Sequence, residues 1–240
     1  MQSKFDAQRI VALGAEPATV EVAGNIKFDD LPFETTQDQL LISPSDFLWV
    51  AGSTHPGEEE IVLETYRALH KEFPFLRLIL APRHIERVQK VEQLILSHGL
   101  KVRMLSYCQR EFFKDKVVVL VDVIGQLRYL YKWATVVFIG KSLTAHGGQN
   151  MIEPAFYGKP VIVGPHTENF KNVVAEFIEE KAMLQVRNAA ELKTQLRRLL
   201  LDPALRQSIG QAAKVVVERN KGVTAKTFQI IKPFVSPRSS

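Results

Sequence analysis

The stretch GKSLTAHGGQNMIEPAFYGKPVIVGPHTENF, residues 140–170, indicates how the chain folds. It contains a glycine pair, a glutamate at a predicted helix start and a second polar turn, GPHTEN. Each polar segment follows an apolar run, VVFIG at residues 136–140 and PVIVG at residues 160–164. Ligands of open α/β sheets bind beyond the carboxyl ends of the strands. We therefore expect this stretch to lie at the binding edge of such a sheet.

Apolar runs alternate with helical patterns from Phe47 onward, with a spacing of about 25–30 residues. Predicted strands cover 47–52, 75–81, 101–105, 116–122, 136–140, 160–164 and 182–186. Predicted helices cover 58–73, a segment opening at PRHIER, 123–134, 169–180, 189–201 and 203–220. This order predicts an α/β fold, a Rossmann-like doubly wound parallel sheet.

Three segments are predicted along the chain. Residues 1–46 hold a short amphipathic helix over residues 1–14, a strand that begins at Val20 and runs into a loop at Gly24-Asn25, and a connection. Residues 47–231 form the Rossmann-like domain with its C-terminal helices, and residues 232–240 form a frayed tail.

The bulk composition is that of a globular protein of 240 residues, with 46% hydrophobic and 24% charged residues. A single cysteine, Cys108, excludes an intramolecular disulfide and argues against a cysteine metal cluster. No run has the length of a membrane span and the N-terminus lacks a signal-peptide core, so a cytoplasmic location is expected. The net charge of +5 suits an anionic ligand. The basic residues are dispersed, which argues against nucleic acid as a partner.

Two of the predicted strand-end turns offer small or cationic groups for an anion. Ser53, Thr54 and His55 precede a helix start, where free N–H groups favour anions, although ordinary capping is the alternative. Pro82 and Arg83 open the next helix, and Arg83 suits a planar or phosphate group unless it is merely a surface arginine.

The turn after the fourth predicted strand contains Ile124, Gly125 and Gln126. Gly125 lets the backbone approach a ligand closely, while Asp122 is a candidate N-cap, and capping alone explains this turn.

The glycine pair, Gly147 and Gly148, predicts a backbone nest for an anion. Asn150 stands where an N-cap is expected, and Glu153 lies in the first helical turn. A carboxylate there can accept two hydrogen bonds from a ribose diol. Capping is again the alternative, but the convergence of these groups with the following polar turn favours a binding site.

The strings GNIKFD, AGSTHPGEE, APRH, IGQL, GGQNMIEPA and GKPVIVGPHTENF occur in this order. Together they closely resemble the C-terminal half of the 3-deoxy-D-manno-octulosonic acid (Kdo) transferases, over about residues 6–231. The resemblance implies the C-terminal domain of a two-domain GT-B glycosyltransferase. The family moves Kdo from CMP-Kdo to lipid A precursors at the cytoplasmic face of the inner membrane, with no metal or other cofactor implied.

The resemblance also implies a nucleotide site, which transfers by position. Its members are Pro82, Arg83, Ile124, Gly125, Gln126, Asn150, Met151, Ile152 and Glu153. The loop of Ser53, Thr54 and His55 is implied to lie near the donor phosphate or sugar carboxylate. Glu153 is assigned to the ribose, Gly148 and Asn150 to the phosphate, and Arg83 to the base or phosphate.

The sequence departs from the family pattern at three positions. Gln126 replaces a usual glutamate, Lys141 a usual glycine and His146 a common arginine. The family's membrane anchor, acceptor site and catalytic glutamate belong to an N-terminal domain that has no counterpart in these residues. We therefore expect nucleotide binding by this chain but little transfer, with no catalytic residue assigned. The alternatives are a UDP-sugar-using GT-B or epimerase-like enzyme and a non-catalytic nucleotide-binding module.

Overall fold

The computed structural model describes residues 1–31, 43, 45–107 and 117–235. Cys108 and most of the predicted connection before Phe47 lie outside these residues. Within them, parallel strands form one sheet in the order β3-β4-β2-β1-β5-β6-β7. The strands are β1 Phe47–Thr54, β2 Leu76–Pro82, β3 Lys101–Met104, β4 Val117–Leu120, β5 Val136–Ile139, β6 Val161–Val163 and β7 Leu184–Gln185.

The α-helices of the described residues cover both faces of this sheet. They are α1 Lys4–Ala12, α2 Glu58–His70, α3 Val88–Ser97, α4 Leu127–Leu130, α5 Ile152–Phe156, α6 Lys171–Glu179, α7 Ala189–Leu201, α8 Pro203–Arg219 and α9 Val223–Ile231. The predicted doubly wound α/β fold is confirmed.

Alternate side chains of the strands enter two separate cores. In β1, Leu48 and Val50 pack with residues of α5, α6 and α8, whereas Trp49 and Ala51 pack with residues of α2, α3 and α7. Successive side chains of a strand point to opposite faces, so burial on both faces requires continuous apolar runs. This is why the strands could be recognised from the sequence.

The connectivity places a switch point at β1. From β1 the chain first moves outward through β2, and it later returns to pair β5 with the other side of β1. Loops on either side of such a point diverge and leave a crevice at the carboxyl ends of the strands. The predicted convergence of the polar turns on one edge is confirmed, because β1, β2, β4 and β5 are parallel neighbours.

The strand predicted to begin at Val20 and run into a loop at Gly24-Asn25 is wrong. The segment contains a 3₁₀ turn, Ile26–Phe28, with no strand before it. The segment is fixed to the start of α9 instead, because the Asp29 carboxylate accepts hydrogen bonds from the N–H groups of Gly222 and Thr224 at 2.7 and 2.5 Å. Alternating residues indicated a strand, but no edge of the sheet lies beside them.

Several predicted helices are shorter or interrupted. The segment 123–134 is helical only over α4 and then tightens into a 3₁₀ turn, Tyr131–Trp133. Helix α1 has no buried residue, so its apolar pattern packs little against the domain. Helix α9 was not predicted separately. No helix among the described residues is long and apolar enough to cross a membrane.

Candidate functional site: a nucleotide-sized crevice at the strand ends

A cavity of about 270 Å³ opens between the loops that follow β1, β2 and β4. Five predicted site residues line it: Ser53, Pro82, Arg83, Ile124 and Gly125. Ile124 and Arg83 are exposed at its rim, and the remaining wall includes apolar residues such as Val121 and Leu127. An apolar floor with a guanidinium at the rim suits a planar, polar ring such as a nucleobase.

Gln126 lies beside this cavity without lining it. It is exposed and occupies the N-cap position of α4, but its side chain makes no capping hydrogen bond. Asp122, the candidate cap, accepts hydrogen bonds instead from the backbone N–H and the hydroxyl of Ser106. The capping interpretation of this turn is therefore wrong.

Glu153 lies in the first turn of α5, as predicted, with 20% of its side chain exposed. Its Oε1 accepts a hydrogen bond from the Asn150 amide at 3.2 Å and lies 3.9 Å from Arg128 Nη2. Burial raises the pKa of the Glu153 carboxyl, and the nearby Arg128 charge and the Asn150 amide partly oppose that rise. A carboxylate has about four lone-pair sites, and the Asn150 amide uses one of them. The Glu153 carboxylate therefore keeps hydrogen-bonding capacity for a ligand.

Asn150 orients this carboxylate. Its side-chain oxygen accepts a hydrogen bond from the N–H of Ile152 at 3.0 Å, while its amide nitrogen donates to Glu153. The N-cap position itself is Met151, so Asn150 acts one residue before the expected place.

His55 lies on the β1 side of the crevice. Its Nδ1 is 3.2 Å from the Ser53 carbonyl, and its ring meets that of His84 edge-on with the centroids 5.6 Å apart. Partial burial lowers the pKa of His55, which favours the neutral ring. Ser53 has a left-handed backbone, φ 56°, which holds the turn in a strained conformation at the crevice.

Three of the predicted residues have side chains that turn away from the crevice. Met151 and Ile152 are fully buried in the core, and the buried Thr54 hydroxyl donates to Glu59 Oε1 at 2.9 Å. Glu59 in turn pairs with Arg87 at 2.7 Å. A ligand reaches these three residues through their backbone alone.

Glu58 has a structural role beside the crevice that was not predicted from the sequence. This fully buried carboxylate accepts hydrogen bonds from the backbone N–H groups of four residues. The donors are His55, Lys141, Ser142 and Leu143, at 2.9, 2.7, 2.9 and 2.9 Å. Glu58 therefore joins the loop after β1 to the loop after β5. A Cβ at Gly140 would approach the backbone of Ser53 and Thr54 to 2.5 Å and Glu58 Oε2 to 2.8 Å, which explains glycine there.

The Gly147–Gly148 pair adopts the positive φ values that its sequence predicted, 119° and 73°. Both N–H groups already have partners within the chain, however. Gly148 donates to the Lys141 carbonyl at 2.7 Å and Gly147 to the Glu168 carboxylate at 2.6 Å. The Glu168 carboxylate, an anion of the chain itself, therefore occupies part of the predicted nest.

His146, His166 and Glu168 form a second group beside this nest. One potential ligand atom from each lies within 4.8 Å of the others, a set that can coordinate a divalent cation. No local sequence pattern indicates this group, because residues 146 and 166 follow different strands. No metal was expected from the sequence.

Comparisons with known proteins identify the family of the chain. The profile of the family described as "Glycosyl transferases group 1" matches residues 53–216, more than half of the chain. The 3-deoxy-D-manno-octulosonic acid transferase of Haemophilus influenzae is 32% identical over 98% of this chain and 56% of its own length. The chain spans about half the length of such curated relatives.

Two solved structures resemble the chain. The C-terminal CMP-Kdo binding domain of WaaA from Acinetobacter baumannii aligns with a TM-score of 0.69 and 30% identity, over 73% of this chain and 91% of that domain. A putative UDP-N-acetylglucosamine 2-epimerase from Listeria monocytogenes aligns over 100% of this chain and 60% of its own, with a TM-score of 0.66 and 17% identity, and shows the fold alone. The chain belongs to the group 1 glycosyltransferases and, within them, is a relative of the Kdo transferases, with their Rossmann-like GT-B domain.

Proposed function

We propose that this chain is the donor-binding half of a Kdo transferase and that its ligand is CMP-Kdo. The observation that carries the proposal is the cavity lined by Ser53, Pro82, Arg83, Ile124 and Gly125, with the Glu153 carboxylate on the next strand-end loop. The cavity suits the cytosine ring, with Arg83 at the base or phosphate. Glu153 accepts hydrogen bonds from the ribose hydroxyls, and Gly148 and Asn150 are assigned to the phosphate. Both would have to exchange partners to bind it, since Gly148 donates to the Lys141 carbonyl and Asn150 to Glu153 in the free chain.

The reaction would transfer Kdo to a lipid A precursor at the cytoplasmic face of the inner membrane. It requires a general base for the acceptor hydroxyl and an acceptor held against the donor. We assign neither role to a residue described here, since the relatives are about twice as long. This chain alone is expected to bind nucleotide and to transfer little or no sugar until an acceptor domain is supplied.

Calorimetric titration with CMP, CDP and UDP tests the proposal. CDP is expected to bind more tightly than UDP, which has the same phosphates, because the cytosine edge presents an amino donor where uracil has an acceptor. A clear preference for UDP would favour the UDP-sugar alternative, and the absence of CMP binding would defeat the proposal. Restored transfer after addition of an acceptor half from a relative would exclude a purely non-catalytic module.

A further inference from the structure

Three nitrogen atoms converge on one carboxylate at the end of β5. The N–H of Gly147 donates to Glu168 Oε2 at 2.6 Å. His146 Nδ1 and His166 Nδ1 lie 3.2 and 3.6 Å from Glu168 Oε1. The two imidazole rings pack together with their centroids 4.0 Å apart. The Gly147 N–H and the Nδ1–H tautomer of His146 are donors of the kind that bind a small oxyanion, and the oxyanion beside them is a side chain of the chain itself. The His166 ring lies at the edge of this group, too far from Glu168 for a hydrogen bond.

The backbone that carries the Gly147 and His166 donors is held by bonds that do not involve the Glu168 side chain. Gly148 donates to the Lys141 carbonyl at 2.7 Å, and His166 donates from its backbone to the Ser142 carbonyl at 2.9 Å. The Asn169 N–H donates to the Gly147 carbonyl, also at 2.9 Å. These bonds join the loops after β5 and β6, so the backbone at Gly147 and His166 should keep its place when the glutamate is removed.

Glu168 itself has the properties of a displaceable occupant. Its side chain is 55% exposed. A neighbouring cavity of about 490 Å³ is lined by Glu168 together with Arg9 and Lys171. Asp6 lines the same cavity, so it offers the displaced carboxylate space together with charges of both signs.

We propose that Gly147, His146 and His166 form an anion-binding site that Glu168 fills in the free chain, and that the phosphate or carboxylate of the ligand displaces it. The identity of the ligand rests on the proposed function, but the site itself does not. Only chains in which Glu168 has left the site bind the external anion. The apparent affinity is therefore the intrinsic affinity multiplied by the fraction of chains in which the site is open.

Glu168→Ala is the direct test, with Glu179→Ala as the matched control. Glu179 is an exposed glutamate of α6, so its removal makes the same change in net charge away from the site. Both variants and the unmodified chain would be titrated with CMP, cytidine, inorganic phosphate and free Kdo. Binding would be measured by calorimetry and from the shifts of the Gly147 and Gly148 amide resonances. Thermal unfolding checks that both variants are folded.

Glu168→Ala is expected to bind CMP or free Kdo about five- to tenfold more tightly than the unmodified chain. A gain for CMP but not cytidine identifies the phosphate as the ligand group, and a gain for free Kdo identifies the carboxylate. Glu179→Ala should leave all affinities nearly unchanged.

The inference is overturned if Glu168→Ala gains no affinity for any of the anions, or if Glu179→Ala gains as much. If the unmodified chain fails to bind CMP, the proposed function fails separately. Inorganic phosphate and the two glycine resonances then still decide whether the anion site exists.

Discussion

Two glutamates occupy similar places in the molecule and have opposite surroundings. Glu58 begins α2 after the turn that follows β1, and Glu153 lies in the first turn of α5 after the turn that follows β5. Four backbone N–H groups saturate the fully buried Glu58. Glu153 receives one side-chain hydrogen bond and keeps 20% of its side chain exposed.

The difference separates a structural carboxylate from a binding one. A carboxylate offers about four lone-pair sites, and at Glu58 the chain uses all of them to join two loops. At Glu153 most remain open, although burial already opposes its ionised form. An incompletely satisfied, partly buried acceptor beside a cavity is typical of a ligand-binding position.

Glu58→Ala should have the largest effect on folding. It would leave four buried or partly buried N–H groups without their acceptor, and we expect the free energy of unfolding to fall by about 3–4 kcal/mol. Urea denaturation followed by circular dichroism measures the change. Glu60→Ala is the control, since Glu60 is an exposed neighbour in the same helix turn and its loss should cost less than about 1 kcal/mol. Equal losses in the two variants would remove the structural role of Glu58.

Lys141→Gly should stabilise the chain. Lys141 has φ 55°, a left-handed conformation in which a side chain is strained, and glycine adopts it without that strain. We expect a gain of about 0.5–1 kcal/mol in the free energy of unfolding, after the greater flexibility of glycine in the unfolded chain is subtracted. Lys181→Gly is matched to it, because Lys181 has φ 54° at the exposed end of α6. A loss at Lys141 with a gain at Lys181 would show that the Lys141 side chain makes a stabilising contact.

Glu153→Gln should change stability by the smallest amount and in a pH-dependent way. Burial raises the pKa of Glu153 in the folded chain above its ordinary value of 4.5, so ionisation of this residue costs stability at neutral pH. Glutamine removes that cost, and a gain below about 1 kcal/mol is expected near pH 7. The gain should disappear as the pH falls below 4.5, where the carboxyl is protonated in both states. Urea titrations at pH 7 and pH 4 compare the two, and a gain that grows on acidification would contradict the burial argument.

Much of the fold follows from local sequence patterns. Apolar runs such as VVFIG predicted the central strands because burial on both faces leaves no polar alternation. The same runs placed the turns containing Arg83, Gly125 and Glu153 on one edge. Glu58 could not be recognised in this way, since three of its four donors lie 83, 84 and 85 residues away. A local pattern of serine or threonine before glutamate describes capping, whereas the actual bonds depend on which strands become neighbours.

The sequence also does not indicate which side chains of two separate loops lie together. His146, His166 and Glu168 come together only because β5 and β6 are neighbours in the sheet. In the same way, the alternation at Val20–Asp29 was misleading because a strand requires an available edge, which the sequence does not show.

The most direct test of the central claim is CMP titration of Glu153→Ala beside the unmodified chain. If the open carboxylate holds the ribose, the variant should bind CMP at least about tenfold more weakly, since two hydrogen bonds to a charged acceptor are lost. Its thermal unfolding midpoint should stay within about 2 °C, because Glu153 supports few contacts of the fold. Unchanged CMP affinity would contradict the account and leave Glu153 only the role of a favourable charge at a helix start.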